Sequence, residues 1–261
     1  MALFQGNPVL SEKKFQDSVL DNIFDRENTM TVKGTMNKFG VLFLLMLATA
    51  FYSWTEFAEG GDVWPWIIFS VTGGLILALI MSFKKQWSPY LAPAYALLQG
   101  LLVGGISAFF EYQANSRYDA YKGGYEGIVV QAVALTFAVV AAMYLLYKFN
   151  IIRVTKKFKA IMVTAMVSLL LFYLVCFVLS MSGAALPSFL YQNTAIGIGF
   201  SVLVVALAAM NLIINFDRIE QGAEMGVPKY MEWYGAFGLL ITIIWLYLEI
   251  LRLLSRLSSR N

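Results

Sequence analysis

Residues 160–216 include no aspartate, glutamate, lysine or arginine. A stretch of that length without a charge cannot form the surface of a soluble domain, where about a quarter of residues are charged. It is long enough to cross the bilayer twice, since about 20 mostly apolar residues carry one helix through about 30 Å of hydrocarbon. The rest of the chain repeats the pattern: of 261 residues, 59% are hydrophobic and 13% charged. Candidate spans fall at 38–57, 64–83, 90–110, 127–147, 158–181, 194–216 and 231–254. Each must be helical, because lipid offers no partner to a free backbone N–H or C=O. Helix breakers mark the joints: Gly60-Gly61, Ser88-Pro89, Gly123-Gly124, Gly183 with Pro187, and Gly226 with Pro228. The expected fold class is all-α, a polytopic membrane bundle of seven transmembrane helices over 38–254, with an N-terminal segment 1–37 and a C-terminal tail 255–261.

Composition removes several function classes. There is no histidine, so histidine general bases, His-based triads and His-ligated zinc or haem are out. No G-x-S-x-G or G-x-G-D pattern is present either. The chain is therefore expected not to be an enzyme and to hold no resident cofactor. Its one cysteine, Cys176, lies in an apolar run; it forms no internal disulfide and reads as a small buried hydrophobe. A net charge of +3 is too small to suggest nucleic acid as a partner.

The basic residues instead report topology. Lys13, Lys14, Arg26, Lys33 and Lys38 precede or open the first span, Lys84 and Lys85 follow the second, Lys148, Arg153, Lys156, Lys157 and Lys159 lie between the fourth and fifth, and Arg218 and Lys229 between the sixth and seventh. The alternate loops hold only Arg117 and Lys122. By the positive-inside rule the N-terminus is cytoplasmic. Arg252, Arg256 and Arg260 disagree if span seven crosses fully; a re-entrant last segment would place them inside. Seven full crossings are expected, because 231–254 is long enough. In the N-terminal segment Phe15, Val19 and Ile23, with Leu20 and Phe24, form one face at helical spacing; a surface-lying amphipathic helix and a disordered tail are the alternatives.

Polar groups within the spans are the candidate functional residues, since they are costly there. Gln99 sits at mid-depth beside Gly100 and Gly104, a G-x-x-x-G that suits close helix packing. Asn211 and Asn215 share one helical face and, like Gln99, are candidates either for an ion path or for a structural role; beyond them Asp217, Glu220, Gln221 and Glu224 share a neighbouring one. Those oxygens could suit a hard cation such as Ca²⁺, with Asp217, Glu220 and Glu224 as ligands, or could be a solvated helix end. In span seven Gly235, Gly238, Thr242, Glu249, Arg252 and Arg256 form a small and polar stripe, which predicts burial among other helices. Glu249 has Arg252 as its local partner, either as a structural ion pair or as part of an ion path.

The segments "APAYALLQGLLVGGIS", "NFDRIEQG" and "EWYGAFGLLITIIWLYLEILRLL" resemble the Bax-inhibitor-like (transmembrane Bax inhibitor motif) membrane proteins, and the start Asn7-Pro8-Val9 is similar to their bacterial branch. The resemblance covers nearly the whole chain. It implies seven helices with the last one central, surrounded by the other six. It also implies a pH-sensitive Ca²⁺ leak channel and, through the bacterial branch, the inner membrane. The family's proton switch uses two aspartates, one ending helix six and one in helix seven. Asp217 matches the first. The second is missing: between 231 and 252 the only acids are Glu232 and Glu249. Some members carry Glu where this chain has Gln99.

Geometry limits the substitutes. Glu232 and Glu249 lie about 26 Å apart along a helix rising about 1.5 Å per residue. With seven crossings, Glu232 lies on the side of Asp217; with a re-entrant segment, Glu249 would. The expectation is that Asp217 closes the cytoplasmic mouth of a central path, held by Arg218, by a loop lysine or by a proton shared with Glu232, and that protonation biases open against closed. The implied partners are the lipid bilayer and Ca²⁺ or another cation, permeating or bound. The rival reading is a non-conducting scaffold or regulator that binds other membrane proteins.

Overall fold

The computed structural model describes residues 28–118, 127–183, 187 and 194–258. The face built on Phe15, Val19, Leu20, Ile23 and Phe24 lies outside the described residues, as does Arg260. Among the described residues seven helices follow one another: α1 (Val32–Ala58), α2 (Trp64–Phe83), α3 (Ser88–Tyr118), α4 (Ile128–Lys148), α5 (Lys156–Met181), α6 (Ala195–Glu224) and α7 (Met231–Ser258). A single 3₁₀ turn, Lys85–Trp87, leads into α3. All seven are long and apolar enough to cross a membrane. Threonines open three of them: Thr31, Thr155 and Thr194 accept hydrogen bonds from the N–H groups of Gly34, Phe158 and Gly197, which would otherwise go unpaired at a helix start.

Helices α1, α3, α6 and α7 run past the apolar stretches that announce them. The continuation of α6 matters most. Asp217 does not end it, because Ile219 and Gly222 keep facing the bundle and carry the helix on to Glu224. Helix α7 is one continuous rod, not a re-entrant hairpin.

Helix α7 is the most buried of the seven. It packs on α1, α3, α4 and α6, while α2 rests on α3 and α5 on α6. The last helix is thus central but enclosed by four neighbours, with α2 and α5 outside. The tightest seam joins α1 to α3. A Cβ on Gly100 would lie 2.2 Å from the Met46 carbonyl oxygen, and one on Gly104 would lie 2.1 Å from that of Ala50. The G-x-x-x-G therefore lets two backbones touch, as small residues do between membrane helices. Gln99 is buried beside it, its side-chain amide lying where a Cβ on Gly74 of α2 would be. Cys176 is buried and free.

Candidate functional site at the start of the last helix

Glu232 occupies the first turn of α7 and is 2% exposed. A carboxylate taken that far from water needs a cation and hydrogen-bond donors, and α1 supplies both. Lys38, about two turns into α1, makes an ion pair and hydrogen bond with Glu232 Oε2. The backbone N–H and the hydroxyl of Thr31 both donate to Oε1 at 2.9 Å. Gly34 lies under the carboxylate: a Cβ there would be 2.2 Å from Oε1. Lys38 Nζ also sits 5.6 Å from the centroid of Trp233, a cation–π contact.

The segment before α1 is tied to the same place. Gly226, in the left-handed region at φ 63°, turns the chain out of α6. Val227 then accepts the Met30 N–H at 2.7 Å, and Lys229 N–H donates to the Asn28 carbonyl at 2.9 Å. Thr29 and Pro228 form an isolated antiparallel bridge. Met30, 4% exposed, places its thioether against the small residues Gly222 and Gly235. On the other side, Ser88 at the start of α3 donates to the Tyr230 carbonyl at 2.9 Å. The start of α7 is thus clasped by the lead-in to α1, by α1 itself and by α3.

Asp217 lies at the same end but has a separate cation. Lys159, at the start of α5, pairs with its Oδ2 at 2.7 Å, and Gln221 donates to the same oxygen at 2.8 Å. The hydrogen bonds and ion pairs of Asp217 and Glu232 run to different partners, so the expected shared proton is replaced by two acid–lysine pairs. Of the three alternatives for holding Asp217, the loop lysine is the one in place. Arg218, next along the helix, turns to the exposed side. The reason is helical geometry: consecutive residues are about 100° apart around the axis, so Asp217 and Arg218 cannot face the same neighbour.

The other expected ligands separate as well. Glu220 accepts the Tyr147 hydroxyl from α4, and Glu224 is exposed. Among the described residues no group of three or more acids, cysteines or histidines converges to hold a metal ion, so Asp217, Glu220 and Glu224 do not form one Ca²⁺ cage. Asn211 and Asn215 both aim their side-chain amides at Thr242 Oγ1 of α7, at 3.3 and 2.7 Å. They fasten α6 to the small-residue stripe of α7.

At the far end of α7, Glu249 is 4% exposed and accepts from Arg252 Nη1 at 2.7 Å. Arg256 is also buried, and its Nη1 donates to the Gly197 carbonyl at 2.5 Å and to Ser201 Oγ at 3.0 Å. These arginines broke the charge asymmetry along the sequence. In the structure they pack α7 against its own carboxylate and the start of α6.

Lys38 was visible in the sequence only as a topology charge, and Thr31, Met30 and Ser88 not at all as site residues. One signal was available. A lysine inside an apolar helix needs an acid, and span alternation puts the start of α1 at the same end as the start of α7.

A helical bundle of seven membrane-length rods, whose innermost rod buries a carboxylate near each end, defines a multi-pass membrane protein built around its last helix. The family model described as Bax inhibitor 1 like matches residues 7–259, and the chain belongs to that family. No curated protein and no solved structure matches it.

Proposed function

We propose that this protein is a proton-sensitive leak for cations, Ca²⁺ among them, whose gate is the Lys38–Glu232 latch. The observation that carries this reading is the position of Glu232. It is buried at the start of the innermost helix, and its cation comes from a different helix. Protonating that carboxylate removes the charge that holds Lys38, so α1 and its lead-in lose their hold on α7. The Lys159–Asp217 pair would respond in the same direction, loosening α5 from α6. Both pairs sit at the lysine-rich end that the positive-inside rule assigns to the cytoplasm, and the bacterial branch suggests the inner membrane. In this reading, proton sensing needs no histidine and no shared proton. It needs two ion pairs, each joining neighbouring helices.

One observation favours the second reading, a non-conducting scaffold or regulator that binds other membrane proteins. A cavity of about 650 Å³ between α1, α3, α4 and α7 is lined almost wholly by apolar side chains, which is a poor lining for a hydrated cation. Cation flux into liposomes, measured from acidic to neutral pH, separates the two. Wild type should leak more on acidification. Glu232→Gln should leak at neutral pH and lose its pH response, and Asp217→Asn should shift that response less. Absence of flux from wild type at every pH, with a membrane protein co-purifying, would remove the channel reading.

A further inference from the structure

The large apolar cavity lies at the end of the bundle away from the Lys38–Glu232 latch. Its walls come from α1, α3, α4 and α7, from Phe43 to Trp54 on α1 and from Gly127 to Phe137 on α4. At about 1.5 Å per residue it runs roughly 15 Å along both helices, half the hydrocarbon thickness of about 30 Å. It therefore serves one leaflet. Helices α1 and α4 do not pack along their length, and Phe43 and Phe137 meet edge to face with centroids 6.0 Å apart, closing the cavity's deep end. Above that contact the gap is rimmed by Leu47, Phe51, Val130 and Val133, all exposed on the outer surface of the bundle. The opening is thus lateral, toward lipid. The volume is within the range of about 300–1,000 Å³ that accommodates a small ligand.

The cavity has one charged wall residue. Glu111 reaches from α3 to the start of α4, where the N–H groups of Gly127 and Val129 donate to Oε1 and Oε2 at 2.9 and 3.1 Å. A carboxylate has about four acceptor positions, so two donors leave it able to take more. No lysine or arginine lines the cavity among the described residues.

The geometry points to a binding site for a phospholipid with a primary ammonium headgroup, one acyl chain entering between α1 and α4 and the ammonium meeting Glu111. The site has the dimensions of a single tail within one leaflet, opens to the phase that contains such tails, and carries a negative charge where the headgroup would lie. It is independent of the proposed gate.

The test uses the full chain in phosphatidylcholine vesicles doped with phosphatidylethanolamine or phosphatidylglycerol carrying a photoactivatable tail, with labelled peptides identified by mass spectrometry. The ethanolamine lipid should label the cavity-facing peptides of α1 and α4 severalfold above the lipid-facing peptides of α5. The glycerol lipid should label them about threefold less, the size of a solvent-accessible ion pair. Val133→Trp should bring cavity labelling down to the α5 level, and Glu111→Gln should make the two lipids equal. Excess unlabelled ethanolamine lipid should compete with labelling of the wild type, a readout that needs no variant. Labelling of wild type no higher than on α5, equal labelling by both lipids, or no competition would each overturn the proposal.

Discussion

The two ends of α7 both bury a glutamate, but they solve the problem differently. At the start, Glu232 has one lysine, and that lysine belongs to α1. Toward the end, Glu249 has Arg252 three residues further along the same helix. The first arrangement is a tie between helices and breaks if they separate. The second is carried by α7 wherever it goes. An acid with a partner on its own helix can stabilise that helix; only an acid with a partner elsewhere can report on how two helices are placed. This contrast is why the proposed gate is Glu232 and not Glu249.

Breaking the comparison begins with Lys38→Met, which strands a buried carboxylate. Loss of one partner of a buried pair costs about 3–5 kcal/mol, so thermal unfolding in detergent should show the largest drop of the set; a Tm equal to wild type would mean that Glu232 draws its stability elsewhere. Gly34→Ala comes next. Its methyl would collide with a carboxylate already fixed by Thr31 and Lys38, and overpacking of that kind costs about 1–3 kcal/mol. It should raise flux at neutral pH, as Glu232→Gln should, and an unchanged profile would argue against the latch. The smallest effect is expected for Arg252→Gln. Its side chain is 44% exposed, so solvent screens its charge. A destabilisation as large as that of Lys38→Met would erase the distinction between the two ends.

The seven rods were legible in the sequence because each is an apolar run bounded by breakers, and lipid leaves the backbone no other choice. The seam at Gly100 and Gly104 was legible for the same local reason. The partners of the buried charges were not. Periodicity reports which residues share a face of one helix; it contains nothing about which other helix lies opposite. Asp217 and Glu232 were placed at the same end, and that placement holds, but spacing could not distinguish a shared proton from two separate lysines. Asn211 and Asn215 looked like path residues for the same reason: a polar face on one helix is ambiguous until Thr242 is seen across from it. Glu111 drew no attention because its partners are backbone N–H groups, which leave no trace in side-chain composition.

The Lys38–Glu232 tie also sets an order for biogenesis. Its two residues are 194 positions apart, and translation proceeds at about 5–20 residues per second, so the first rod waits roughly 10–40 s for the last. During that interval its ammonium is inserted without its acid. The nascent bundle therefore stays unlocked until the ribosome has delivered the final segment, and a chain truncated before Glu232 would present quality-control machinery with an unpaired cation at the membrane face.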